Sequence, residues 1–239
     1  DPANDRIRVD AETLRVKAVG EGANLGVTQA ARIAFARHGG RINTDFIDNS
    51  AGVDCSDNEV NIKIALNKEV RDGRLTEEAR NTLLTAMTDD VAELVLADNR
   101  MQALALSIAQ RGGAQALPSL VRLIEHFESE GRLDRAVEGL AANDELNRRA
   151  QEGAGLTRPE LAVLLSTAKL AIQDAAEQGR LGADPLMDAE VLAAFPPAMV
   201  AAHRDAILAH QLRNEIVATK VANRIVNRMG LIHPFELAE

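Results

Sequence analysis

The sequence predicts a mostly α-helical chain that opens with a short α/β segment of the doubly wound type. Three observations carry this. Only 2% of the 239 residues are aromatic, all of them Phe, with no Trp or Tyr, so the core falls to Leu, Ile, Val and Ala, as helical cores usually do. Up to about residue 66, short apolar runs alternate with glycine-rich turns. Beyond Asn67, apolar residues recur at helical spacing and no convincing strand pattern stands out.

The elements follow in order. Leu14, Val16 and Ala18, separated by Arg15 and Lys17, alternate as a strand that closes at Gly20. Val27 to Arg37 places Ala30, Ala31, Ile33, Ala34 and Phe35 at helical spacing, and His38-Gly39-Gly40 stops the helix. A second strand is predicted over Arg41 to Ile47. After Asp48-Asn49-Ser50-Ala51-Gly52 the pattern turns helical again, with Val60, Ile64 and Leu66 on one side. Strand, helix, strand, helix is the repeating unit of doubly wound parallel sheets, here with too few strands for a complete one.

From Asn67 to Glu239 the pattern predicts a multi-helix bundle. Thr76 followed by Glu77 and Glu78 is a capped start with acids in the first turn, leading into Leu83, Leu84, Met87, Val91, Leu94 and Val95. Thr157-Arg158-Pro159-Glu160 is a capping box with proline just inside the helix. Pro196-Pro197 precedes a long helical segment, Ala198 to Met229, that Gly230 ends. Most of these helices are amphipathic, so burial against one another is their default role, and no fixed-period repeat marks a solenoid.

Composition excludes some partners. A net charge of −9 repels a phosphate polyanion, and the missing aromatics remove the platforms on which single-stranded bases stack, so no nucleic-acid partner is expected. No run reaches the roughly 18 to 20 apolar residues a membrane span needs, so no membrane partner is expected either. The single cysteine, Cys55, allows neither an intrachain disulfide nor a cysteine-rich zinc site, which fits a reducing, cytoplasmic setting. The opening Asp1, in place of Met, points to an excised or processed piece of a longer chain.

Two loops carry the chemical candidates. Gly20-Glu21-Gly22-Ala23-Asn24-Leu25-Gly26 follows a strand and precedes a helix, but its GxGxxxG spacing departs from the dinucleotide turn GxGxxG. As a lone motif it reads first as a tight turn. Its small residues nevertheless let a ligand approach the backbone, and Asn24 offers a donor and an acceptor at the carboxyl end of a strand. Asp48-Asn49-Ser50-Ala51-Gly52-Val53-Asp54-Cys55-Ser56 lies at the next strand end and opens a helix. There the first helical N–H groups and the Ser56 hydroxyl suit a carboxylate or an amide, while helix capping by Asp48, Asn49 or Ser50 explains the same residues.

The other candidates favour blander explanations. Cys55, between Asp54 and Asp57, sits in an acidic setting that disfavours a thiolate. Asp45, Asp48, Asp54, Asp57 and Glu59 lack a calcium-loop spacing, so no metal site is expected. His203 and His210 lie seven apart, too far to share a zinc ion directly. With His38, His126 and His233 they are read as surface or packing residues. Arg213, Lys220, Arg224 and Arg228 form a basic stripe, read as a salt-bridge surface within or between subunits.

Taken together, Gly20-Glu21-Gly22-Ala23-Asn24-Leu25-Gly26-Val27-Thr28-Gln29, Gly39-Gly40-Arg41-Ile42-Asn43-Thr44-Asp45, Ile47 through Ser56 and Glu59-Val60-Asn61-Ile62-Lys63-Ile64 closely resemble the large NAD-specific glutamate dehydrogenases of bacteria. The helical remainder resembles that family's carboxy-terminal domain more loosely. The resemblance implies that residues 1–66 are the carboxy-terminal part, or remnant, of a Rossmann-like NAD-binding domain and that residues 67–239 are a helical carboxy-terminal domain. It implies NAD as cofactor, glutamate and 2-oxoglutarate as substrates, and a homo-oligomeric full-length enzyme.

Carried over by position, Glu21-Gly22-Ala23-Asn24 matches a block of the smaller glutamate dehydrogenases that puts Gly22 and Asn24 at the cofactor, with Asn24 on the ribose of the nicotinamide side. Asn49-Ser50-Ala51-Gly52-Val53 matches a second block, in which Asn49 holds the nicotinamide carboxamide and Val53 and Ser56 line the pocket for the substrate's side-chain carboxylate. Ser50-Ala51 stands where the small enzymes have Ala-Gly, and Asp57-Asn58 replaces an aromatic pair. The family's catalytic lysine and aspartate lie upstream of these blocks, so this chain alone is expected to be inactive. The competing expectation is a helical regulatory or oligomerisation module with no ligand site of its own.

Overall fold

The computed structural model describes residues 2–22 and 24–237. Ala23 of the first loop lies outside the described residues. The chain is mainly α-helical, with one two-stranded parallel sheet.

Strand β1 (Ala18–Val19), helix α1 (Gln29–Arg37) and strand β2 (Arg41–Ile42) follow the predicted order. Ala18 pairs with Arg41 and Val19 with Ile42. Helix α1 starts where the Thr28 hydroxyl accepts the Ala31 N–H at 3.2 Å, satisfying one of the free donors of a helix start. It ends at Gly39, whose φ of 87° turns the chain back toward β2. Gly40 lies so close to the helix that a Cβ would sit 2.3 Å from the Phe35 ring. Ala11, Phe35 and Ile42, with Leu14, Val19 and Val27, form the apolar layer joining sheet and helix.

Both strands are shorter than predicted. Leu14 to Val16 stay outside the ladder, Lys17 joins it only through its carbonyl, which accepts the Arg41 N–H at 3.0 Å, and the second strand stops at Ile42 instead of reaching Ile47. The reason lies in the acids. Thr44 takes an extended backbone and Asp45–Asp48 closes one helical turn, α2. That turn aims the Asp45 and Asp48 carboxylates at backbone N–H groups of the first loop.

Helix α3 (Ser50–Arg71) runs through residue 66 without a break, and α4 (Glu77–Ala86) begins at the predicted cap, with the Thr76 hydroxyl accepting the Ala79 N–H at 3.1 Å. There follow α5 (Thr88–Arg111), α6 (Leu117–Ser129), α7 (Arg135–Glu138), α8 (Asn143–Gln151) and α9 (Arg158–Gln178). The last elements are α10 (Asp188–Leu192), α11 (Pro197–Leu208), α12 (Arg213–Met229) and α13 (His233–Glu236). Among the described residues after Asn67 none lies in a strand.

The chain forms two compact units. The first comprises Asp1–Asn49, Ala103–Thr167 and Met229–Glu239. It holds the sheet and α1, and it buries Leu117, Leu120, Ile124 and Phe127 of α6 and Leu146 of α8. Phe127 meets Phe235 edge-on with ring centroids 5.0 Å apart. Within it half of the predicted capping box forms: Glu160 Oε2 accepts the Thr157 N–H at 2.7 Å, while the Thr157 hydroxyl also donates to that carboxylate, at 2.7 Å.

The second unit comprises Ser50–Gln102 and Ala168–Arg228. Its core joins Ile62 and Leu66 of α3 to Met87, Val191, Phe195, Met199, Ile207, Ile216 and Val217. The predicted helix from Ala198 to Met229 is broken between Leu208 and Arg213, although neither proline nor glycine stands there. His210 is the cause. Its buried imidazole accepts the Leu212 N–H at Nδ1, 3.0 Å away, and places Nε2 3.0 Å from the Asn61 carbonyl. Burial lowers its pKa, which keeps the ring neutral as that double role requires. The basic stripe forms ion pairs inside this unit: Arg213 with Asp188 at 2.6 Å, Lys220 with Asp98 at 2.9 Å, and Arg224 with Glu190. Among the described residues no helix is long and apolar enough to cross a membrane.

Candidate functional site

Because β1 and β2 run parallel, the loops that follow them emerge from the same edge of the sheet, the edge at which open α/β sheets receive ligands. Among the described residues of the first loop, 20–22 and 24–28, the amides find no backbone acceptors in regular structure and need others. Acids supply them. The Glu21 N–H donates to Asp48 Oδ2, the Leu25 N–H to Asp45 Oδ2 and the Val27 N–H to Glu21 Oε1, each at 2.9 Å.

Arg32 makes that concentration of carboxylates tolerable. It projects from α1, only 4% exposed, and its guanidinium donates from Nε to Glu21 Oε2 at 2.9 Å. A terminal guanidinium nitrogen lies 2.7 Å from Glu21 Oε2 and 3.1 Å from Asp45 Oδ1. Burial alone raises the Asp45 pKa; the Leu25 N–H and the Arg32 charge outweigh it, and the carboxyl is held below its usual value.

With its amides tied, the loop adopts two consecutive left-handed residues, Asn24 at φ 45° and Leu25 at φ 57°. This brings Asn24 to Asn49, which follows α2. The Asn49 Nδ2 donates to Asn24 Oδ1 at 2.8 Å. Among the described residues no acceptor or donor meets the two N–H groups of Asn24 Nδ2, the second N–H of Asn49 Nδ2 or the Asn49 side-chain oxygen, which leaves them for a ligand. Gly22 is exposed, and a Cβ there would meet nothing within 4 Å, so the space above the loop is open.

Val53 and Ser56 lie in the second unit, three residues apart on the exposed side of α3, and Cys55 beside them is exposed and free. Asp54 faces inward. Its pKa is raised by burial and by the neighbouring charge of Asp98, with Lys220 offsetting part of the effect. No group of three or more His, Cys, Asp or Glu residues suited to a metal ion occurs among the described residues.

The loop sequence pointed to Asn24 and Asn49 but not to the residues that hold them. Glu21, Arg32, Asp45 and Asp48 form that frame, and the readable signal was Arg32 itself, a cation flanked by Ala31 and Ile33 on the inward face of a short helix. A second missed link is Asn43. Its Nδ2 donates to Asp48 Oδ1 at 2.6 Å, while its Oδ1 accepts from Arg158 Nε at the start of α9.

Residues 1–109 match the family model described as bacterial NAD-glutamate dehydrogenase, catalytic domain, and residues 153–239 match glutamate dehydrogenase, C-terminal. The NAD-specific glutamate dehydrogenase of Pseudomonas aeruginosa is 47% identical over 239 residues, covering 100% of this chain and 15% of its own length. The enzyme of the same name from Halomonas elongata is 45% identical over 232 residues, 97% of this chain and 14% of its own length. That from Mycobacterium tuberculosis is 43% identical over 244 residues, 100% of this chain and 15% of its own length. The chain thus spans about one seventh of the relatives it matches, and over that span it belongs to the family of bacterial NAD-specific glutamate dehydrogenases.

Proposed function

We propose that this chain supplies the nicotinamide-side cofactor loops of an NAD-dependent glutamate dehydrogenase, which oxidatively deaminates L-glutamate to 2-oxoglutarate and ammonia. The observation that carries the reading is the Asn24–Asn49 pair, 2.8 Å apart at the carboxyl edge of the parallel sheet. The order β1, α1, β2 and the parallel pairing support a doubly wound, Rossmann-like origin for this segment.

The residues present fit the nicotinamide half of NAD. Its carboxamide needs one donor and one acceptor and its ribose needs hydroxyl partners, and the free groups of the two asparagines provide both kinds. Bound NAD would accept the hydride; the chain's part is orientation and exclusion of water. Asn49 holds the carboxamide, Asn24 the adjoining ribose, and Gly22 leaves room for the sugar to approach the backbone. Val53 and Ser56 are assigned to the substrate's side-chain carboxylate, the hydroxyl donating and the isopropyl group shaping the pocket. The isolated chain is expected to be inactive, because the resemblance places the catalytic lysine and aspartate outside it.

The test uses an enzyme of the relatives' full length that contains this chain. Asn49→Ala should raise KM for NAD more than KM for glutamate, and Ser56→Ala should do the reverse. Unchanged constants for both ligands in both variants would remove the assignment and leave a helical regulatory or oligomerisation module as the better reading.

A further inference from the structure

We propose that the cleft between the β1–β2 sheet and the segment 154–158, within the first unit, binds a small oxyanion, a carboxylate or phosphate group, on the guanidinium groups of Arg158 and Arg41. The cleft encloses about 980 Å³, enough for a small organic anion. Arg37, Arg41, Arg149 and Arg158 line it together with the carboxylate of Glu152. On a chain of net charge −9 the lining itself thus carries four cations and one acid.

Two of those arginines are already answered. Arg149 pairs with Glu145 at 3.1 Å and Glu160 at 2.8 Å, and Arg37 lies 3.4 Å from Glu145. Arg158 and Arg41 are different. The half-buried Arg158 guanidinium donates to uncharged acceptors: Asn43 Oδ1, and Ser107 Oγ and the Ala103 carbonyl, both at 3.0 Å. These bonds fix its orientation without cancelling its charge. Among the described residues three of its five N–H groups find acceptors, which leaves two for a ligand. Arg41 is exposed beside it in the lining, and among the described residues its side chain forms no ion pair.

Electrostatics favours an occupant. Burial lowers the Arg158 pKa, and the Asp48 carboxylate offsets this only in part, so the cation is partly desolvated and its counter-charge is incomplete. An oxyanion supplies the missing charge through the forked geometry that guanidinium groups favour. Arg158 is also the first residue of α9, whose amino-terminal dipole adds to the attraction. Glu152 at the same cleft selects a small anion over a long polyanion. The wall is stiff, because Gly155 packs on the Gly113 backbone so closely that a Cβ would lie 2.5 Å from it.

The experiment titrates the full 239-residue chain with inorganic phosphate and, separately, with malonate. Calorimetry reads affinity, and the arginine Nε–Hε NMR signals read location. The expected result is saturable binding of at least one anion with a shift of the Arg158 signal, weakened about tenfold or more, roughly 1.4 kcal/mol, by Arg41→Ala. That substitution is at an exposed position and should leave the unfolding midpoint unchanged. Arg158→Lys should weaken binding as well, since an ammonium cannot form the fork. Phosphate binding alone names a phosphate ligand and malonate binding alone a carboxylate; either supports the site. No saturable binding of either anion up to about 10 mM, a concentration that detects interactions of about 3 kcal/mol or stronger, overturns the proposal, as does binding that both variants leave unchanged. The cofactor assignment is tested separately, through Asn24 and Asn49, and survives that failure.

Discussion

The side-chain amide of Asn49 donates to the side-chain oxygen of Asn24 at 2.8 Å, joining two loops that the sequence keeps 25 residues apart. Each amide fixes the rotamer of the other, so their outward groups are positioned before any ligand arrives. Asn24→Ala in the full-length enzyme should therefore raise KM for NAD about tenfold, roughly 1.4 kcal/mol, through lost contact and lost orientation of Asn49. Both residues are at least partly exposed, so thermal unfolding of the chain should change by no more than about 0.5 kcal/mol. Steady-state kinetics and calorimetry check the two halves of this expectation.

Arg32→Met should be far more damaging. It leaves Glu21, 4% exposed, and Asp45 without their shared cation, and a broken buried pair of this kind costs about 3–5 kcal/mol. Urea unfolding should show the loss. Arg32→Lys should recover only part of it, since one ammonium cannot span both carboxylates as the fork does.

Acid should loosen the same loop. The folded-state pKa of Asp45 lies below its ordinary 3.8, so its contribution is present above the unfolded-state value and lost as pH falls through the folded one. Asp45→Asn should flatten the stability profile below about pH 4. An unchanged acid limb would show that Asp45 takes no part in it.

Lys169 gives the opposite dependence at the alkaline end. It sits in the second unit with Nζ donating to Gln102 Oε1 at 2.8 Å, and burial, partly offset by Asp98, lowers its pKa from 10.5 to about 8. Here the unfolded chain holds the proton more tightly. The cost of burying the ammonium is therefore full below about 8 and is relieved as pH rises from there toward 10.5. Lys169→Met should stabilise the chain near pH 7 by on the order of 1–3 kcal/mol and remove the alkaline rise. An NMR titration of the Lys169 side chain should give a midpoint near 8.

Gly182→Ala tests a close approach between backbones. An added Cβ would lie 2.4 Å from the Asn214 Cα, at a point where the Gly182 N–H also donates to Asn214 Oδ1 at 3.0 Å. Overpacking of this kind costs about 1–3 kcal/mol, measurable by thermal melting, whereas Gly20→Ala, with open space around its Cβ position and no positive φ, should cost less.

Local rules made the helix starts readable. Thr76 and Thr157 announce themselves because a cap is chemistry between residues three apart. The predicted strand over Arg41 to Ile47 went astray where Asp45 and Asp48 gave up the ladder to serve amides more than 19 residues earlier in the chain. The break after Leu208 was hidden for the same reason, since His210 ends the helix by reaching Asn61, 149 residues away in sequence. At the candidate site, both asparagines were legible from the sequence as residues with ligand-like chemistry, but only Asn24 lies in a loop that directly follows a strand; Asn49 follows helix α2. Their frame of Glu21, Arg32, Asp45 and Asp48 was not, because a buried ion network becomes visible only once the chain has folded.

The left-handed backbone at Asn24 and Leu25 has a consequence in time. Asparagine tolerates this region, but leucine does not, and holding Leu25 there costs about 1–2 kcal/mol, a strain released whenever the loop lets go of Asp45. Opening is easier here by that amount than in the relaxed helix α1 beside it. The Leu25 amide proton, guarded by one carboxylate, should consequently exchange with deuterated solvent ahead of the α1 amides, a clock for how often these loops part.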